Sequence, residues 1–188
     1  MRTTWRWPRD HDESDLIVSE MDEVIPALVA AVQEQHATGD HYRDDAIRQA
    51  MEHQAQLALR PGPVRVDVIV DPPWSDGQIN SVQVVTGDRP FLVDTVVSCL
   101  LRHGWRVEDV RHPIIGVKRD RGTIEAVGMP GRGGCASESW IHIDATAPLG
   151  TDIGQAAEQL RDDLCACLDQ VVCATDDWGA MHEAMLRT

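Results

Sequence analysis

Pro61-Gly62-Pro63 divides the chain into two regimes that cannot share one kind of secondary structure. Proline fixes φ and removes a backbone donor, so two prolines around a glycine end one element and force a new one to begin. Upstream, apolar residues recur at helical spacing. Val24, Ile25, Leu28, Val29 and Val32 mark one helix, with Pro26 tolerable only near its first turn and Gly39 closing it. Ala46, Ile47, Ala50, Met51, Gln54 and Ala58 mark a second. Downstream, the period falls to two. Val64, Val66, Val68 and Val70 alternate with Arg65 and Asp67, the pattern of a strand with one buried face. The chain therefore divides into an N-terminal helical segment at 1–60, an α+β domain at 61–176, and residues 177–188 as the start of a following helix or linker.

Within the α+β part, Pro72-Pro73-Trp74-Ser75-Asp76-Gly77 reads as a turn, and residues 79–86 form a second alternating strand around Val82 and Val84, so the two strands pair as a hairpin. Leu92, Val93, Val96, Val97, Leu100 and Leu101 follow as a helix that His103-Gly104 ends, glycine taking the C-terminal cap. The strand spanning about Trp105 to Arg119 contains Pro113, which cannot donate to a central ladder and so places it at an edge or a bulge. A glycine-rich loop from Gly128 to Gly134 leads to a strand over Ser139–Asp144. A long amphipathic helix through Ile153, Ala157, Leu160, Leu164, Leu168 and Val171 closes the domain, capped near Thr151 or Asp152. This order predicts a ferredoxin-like, four-stranded antiparallel sheet with two helices on one face. The 64–70 strand takes the slot of that fold's last strand, and the Pro113 strand takes the opposite edge.

Charge narrows the function classes. The net charge of -14 repels phosphate backbones, which argues against nucleic-acid binding. It is unevenly spread: both ends are acidic, the centre is balanced, and the basic run Arg102, Arg106, Arg111, Lys118, Arg119 and Arg121 reads first as a strand surface facing acidic helices and second as a docking patch for an anionic ligand or another domain. No stretch approaches the ~20 apolar residues of a membrane helix, and the first residues lack the apolar region of a signal peptide, so a soluble cytoplasmic chain is expected. Cys99, Cys135, Cys165, Cys167 and Cys173 are odd in number and without paired metal spacing, which predicts reduced thiols and no metal site.

The stretch Val84-Val85-Thr86-Gly87-Asp88-Arg89-Pro90-Phe91-Leu92-Val93-Asp94-Thr95-Val96 resembles the first segment of the large bacterial NAD-specific glutamate dehydrogenases. Arg111-His112-Pro113-Ile114, Val117-Lys118-Arg119-Asp120, Glu138-Ser139-Trp140-Ile141-His142-Ile143 and Asp177-Trp178 are similar to the same family in the same order, over about residues 16–183. The resemblance implies that 61–176 is an ACT-like domain at the beginning of a very long polypeptide. The catalytic domain of that polypeptide, downstream, would use NAD to deaminate glutamate oxidatively to 2-oxoglutarate and ammonia. It also implies that the downstream domains are partners, that the protein is a homo-oligomer, and that an amino-acid effector would sit at Gly87, Asp88, Arg89, Pro90, Phe91, Leu92, Val93 and Asp94. The corresponding ACT loop has the form Asp-x-Pro-Gly; here Phe91 replaces the glycine, and its ring is expected to fill ligand space.

Nothing in the chain itself points to catalysis. No Gly-x-Gly-x-x-Gly turn follows a strand to hold a dinucleotide, so no cofactor is expected here, and Lys118 is the single lysine. His112, or His142 with Asp144, has the composition of an acid–base group but reads better as structural histidine. Cys135 reads as a loop thiol. Trp140, His142 and Asp144 share a strand face with Arg65, Asp67 and Gln83. With no evident helix to cover it, that face reads either as an interface with a partner or as a solvated polar face with one incidental tryptophan.

Overall fold

A computed structural model describes residues 21–36, 44–75, 77–176 and 185. Gly39, Asp76, the Asp177-Trp178 motif and nearly all of 177–188 lie outside the described residues. The elements are α1 (Met21–His36), α2 (Asp44–Ala58), β1 (Val64–Ile69), β2 (Asn80–Gly87), α3 (Leu92–Arg102), β3 (Arg106–Arg111), β4 (Ile114–Asp120), β5 (Thr123–Gly128), β6 (Ala136–Thr146) and α4 (Ile153–Asp176). Pro26 lies inside α1 rather than in its first turn, where its ring costs the helix one backbone hydrogen bond. Among the described residues no helix is long and apolar enough to cross a membrane.

The sheet is antiparallel in the order β1-β2-β6-β4-β5, with β3 also paired to β6. β6 is long enough to hold both β3 and β4 on one side. Arg111 lies opposite His142 and Ile114 opposite Ser139, one continuous register. β3 and β4 are therefore a single strand interrupted at Pro113, which returns no N–H but still accepts from Trp140 N at 3.0 Å. The expected four-stranded sheet is thus short by one row. Asp120 and Thr123 pair across a two-residue turn in which Arg121 (φ 47) and Gly122 (φ 89) are both left-handed, and this turn folds β5 back on β4. Only the β3 half of the proline strand remains an edge; β5 covers the other half.

Helices cover both faces, not one. On the first face, Val66, Val82, Val84, Ile141 and Ile143 pack against Leu92, Val96 and Leu100 of α3 and Leu160, Leu164 and Leu168 of α4. On the second, Val85, Ile115, Val117, Ile124 and Trp140 pack against Val24, Leu28 and Val32 of α1 and Met51 and Ala55 of α2. Each large side chain withdrawn this way is worth about 1.5–3 kcal/mol, so the N-terminal helices are part of the sheet's core.

Local signals set the helix ends where the sequence expects them. Trp105 N bonds Leu100 O and Gly104 N bonds Leu101 O, a Schellman cap with Gly104 at φ 76. Asp152 Oδ1 accepts from Gln155 N at 3.0 Å and caps α4. α3 and α4 run antiparallel: His103, after the end of α3, reaches Asp163 at 2.8 Å, while Arg89, before its start, reaches Asp176 at 2.8 Å.

Candidate functional site

The loop from β2 into α3 is the part of the chain where backbone and side-chain groups converge without being consumed by the core. Asp88 N bonds Ser137 O at 2.8 Å, which holds the loop against the start of β6. Arg89 then turns to α4. Its Nη1 donates to Val172 O at 3.3 Å, Thr175 Oγ1 at 3.2 Å and Asp176 Oδ1 at 2.8 Å. It fastens the last turn of α4, whose orphan carbonyls and negative dipole end suit a guanidinium. A ligand carboxylate would have to compete for this arginine. Pro90 is exposed, Leu92 is buried and Val93 half-buried, while Asp94 is exposed in the first turn of α3.

Phe91 adopts φ 71, the left-handed conformation that a glycine would take without strain. Its ring is 62% exposed. The substitution shows as backbone strain at an exposed position. Phe91 provides no side-chain cap for α3, which leaves first-turn N–H groups for another acceptor.

Beneath the loop lies a chain of polar groups that sequence spacing does not reveal. Ser139, fully buried, donates its hydroxyl proton to Asp88 Oδ1 at 2.6 Å and is approached by His112 Nε2 at 3.0 Å. With its own proton directed at the carboxylate, Ser139 accepts from the imidazole. An activated serine requires the reverse, a histidine that takes the hydroxyl proton. Burial pushes the His112 pKa down, and Asp88 opposes it. Opposite Ser139 in register stands Thr86, 1% exposed, whose Oγ1 has no hydrogen-bond partner among the described residues. The signal that could have found this group is cross-strand register, which a single sequence does not print.

Trp140, His142 and Asp144 do share a face with Gln83 and Asp67, but that face lies under α2, and the three are 0%, 5% and 4% exposed. The expected partner surface is therefore corrected to an internal one. Apart from Trp140 Nε1, which has no hydrogen-bond partner among the described residues, its polar groups form a network. Ala50 O can only accept, so the Gln83 nitrogen 2.9 Å away is the donor; the same nitrogen faces His142 Nδ1 at 3.2 Å, making Nδ1 an acceptor. His142 is consequently neutral and donates Nε2–H to Asp144 at 3.0 Å. Burial holds its pKa down, with Asp144 pulling the other way. Gln83 Oε1 accepts from His53 Nδ1 at 2.8 Å, Arg111 pairs with Asp144 and with Asp109, and Gln54 donates to Ile141 O at 2.9 Å. This is a docking contact between α2 and the sheet.

The basic run is also spent internally: Arg106 on Glu108, Lys118 on Glu125, and Arg119 on Glu138 through two nitrogens at 2.6 and 3.0 Å. Its partners are mainly acidic strand residues rather than the helices. Burial raises the Cys135 pKa, and Lys118 only partly offsets it. Among the described residues no three His, Cys, Asp or Glu side chains converge as a metal site.

No curated protein matches the chain. The family model described as glutamate dehydrogenase, ACT1 domain, matches residues 27–164, which takes in α2, the whole sheet, α3 and the 87–94 loop. The chain belongs to the ACT1 domain family of glutamate dehydrogenases.

Proposed function

We propose that the chain is a noncatalytic regulatory and interaction module of an NAD-dependent glutamate dehydrogenase, whose downstream catalytic domain binds NAD and deaminates L-glutamate oxidatively to 2-oxoglutarate and ammonia. The observation that carries this reading is the Arg89 clamp: one side chain of the 87–94 loop holds the last turn of α4. A partner or ligand that draws Arg89 away would release that turn. Cytoplasmic residence, self-association and contact with the parent's downstream domains belong to the same proposal. Assay of the isolated chain with NAD and glutamate is expected to show no turnover; measurable turnover overturns the noncatalytic reading.

A second reading, an amino-acid sensor acting on its own, is favoured by the uncapped start of α3 and by the buried Thr86 hydroxyl, which has no partner among the described residues. First-turn N–H groups suit a carboxylate, and Asp88 suits an ammonium. Calorimetry with a panel of amino acids tests it, and the absence of heat with every one removes it.

A further inference from the structure

Two of the five thiols stand apart from the rest. Cys99 on α3 is 1% exposed, and Cys167 on the facing α4 is half-buried. A single nitrogen, Arg102 Nη2, lies 3.5 Å from Cys99 Sγ and 3.4 Å from Cys167 Sγ. Both sulfurs thus meet the same guanidinium nitrogen, one from each helix. No core function needs this arrangement, since an apolar pair would pack the same helix crossing without a guanidinium beside it.

We propose that Cys99 and Cys167 form a reversible oxidation site, a dithiol that a peroxide converts to a disulfide linking α3 to α4. Cys167 is the one that solute reaches, and the Arg102 guanidinium stands 3.4 Å from its sulfur, beside the attacking atom. The thiolate attacks one peroxide oxygen and breaks the O–O bond, giving a sulfenic acid and hydroxide. Cys99 then attacks the sulfenic sulfur, its proton leaves with the displaced hydroxyl as water, and the S–S bond forms. The two sulfurs together lose two electrons to the peroxide, and two waters result. Burial, then Cys167, raises the Cys99 thiol pKa, while Arg102 lowers it; Cys99 attacks only in the second step, which is intramolecular, so that proximity offsets its weaker nucleophilicity. Cys165, on the same helix, has its pKa raised by burial and then by Asp169 and Asp162, so it is a poorer nucleophile.

The bond would fix the same pair of helices that Arg89 fastens at the other end of α3, which makes it a second control on the geometry of α4. This consequence rests on the function proposed above; the chemistry does not.

The test treats the reduced 188-residue chain with a small excess of hydrogen peroxide and reads intact mass, peptide linkage and thermal midpoint. Expected are a loss of about 2 Da, a cross-link that fragmentation assigns to Cys99 and Cys167, and a rise in Tm of roughly 5–15 °C, all reversed by dithiothreitol. Cys167→Ser, at a half-exposed position, is expected to remove the link, and Cys165→Ser to keep it. Arg102→Gln should slow the reaction several-fold, an effect that a purely structural arginine would not have on a peroxide rate. A link through Cys165 or Cys173, or oxidation of single thiols without a link, overturns the proposal.

Discussion

Arg89 meets Asp176 at 2.8 Å across a sequence separation of 87 residues, and so ties the loop before α3 to the end of α4. Arg89→Ala should free three acceptors at that helix end. Because Asp176 is 65% exposed, the expected loss of global stability is only about 1 kcal/mol. The local effect is larger: amide exchange over residues 172–176 should accelerate while the β6 amides stay protected.

Phe91→Gly is expected to stabilise the chain. A non-glycine residue in the left-handed region costs about 1–2 kcal/mol, and glycine returns about 0.4–1 kcal/mol of that through the unfolded state. With the ring 62% exposed, little packing is lost, so urea unfolding should show a gain of up to about 1 kcal/mol. Phe91→Ala keeps the strain and should show none. A destabilised glycine variant would mean that the ring carries contacts the exposed position does not account for.

Gly116 has a different constraint. A Cβ there would lie 2.3 Å from Gly128 O and 2.4 Å from the Met129 carbonyl carbon, both backbone atoms of the neighbouring strand and its exit. Gly116→Ala must push β5 away from β4, at a cost of about 3 kcal/mol or more. Chemical-shift changes confined to 114–130 would locate the damage.

These positions also show what the sequence could reveal. The hairpin, the α3 cap at Gly104, the α4 cap at Asp152 and the proline-broken strand are local matters of period and turn chemistry, and all were legible. β5 was partly legible, in the alternation of Ile124 and Ala126 with Thr123 and Glu125 after Gly122. The covered second face was not. Gln83, His142 and Asp144 are polar, and a polar face satisfied by hydrogen bonds under α2 has the same alternation as one facing water. Likewise Ser139 and Asp88 meet only because β6 pairs in one register with β2.

Stability should fall as the pH is lowered from neutrality. His112 and His142 both have native pKa values depressed by burial, so below about pH 6.5 the unfolded chain takes up protons that the native chain refuses. Each histidine then removes up to about 1.4 kcal/mol per pH unit, and the loss ends only below its native pKa. Urea midpoints between pH 8 and 5 should decline, and His142→Gln should flatten the decline by removing one contribution. An unchanged slope would contradict the neutral, buried His142 donor to Asp144.

The most direct test of the regulatory account is steady-state NAD-dependent glutamate oxidation by the parent enzyme, with and without residues 21–176 and as the Arg89→Ala variant, read together with its oligomeric state. The account predicts that removal changes the assembly or the dependence of the rate on amino acids, and that Arg89→Ala reproduces part of that change without touching substrate. Rate, amino-acid response and assembly all unchanged by removal of the domain would contradict it.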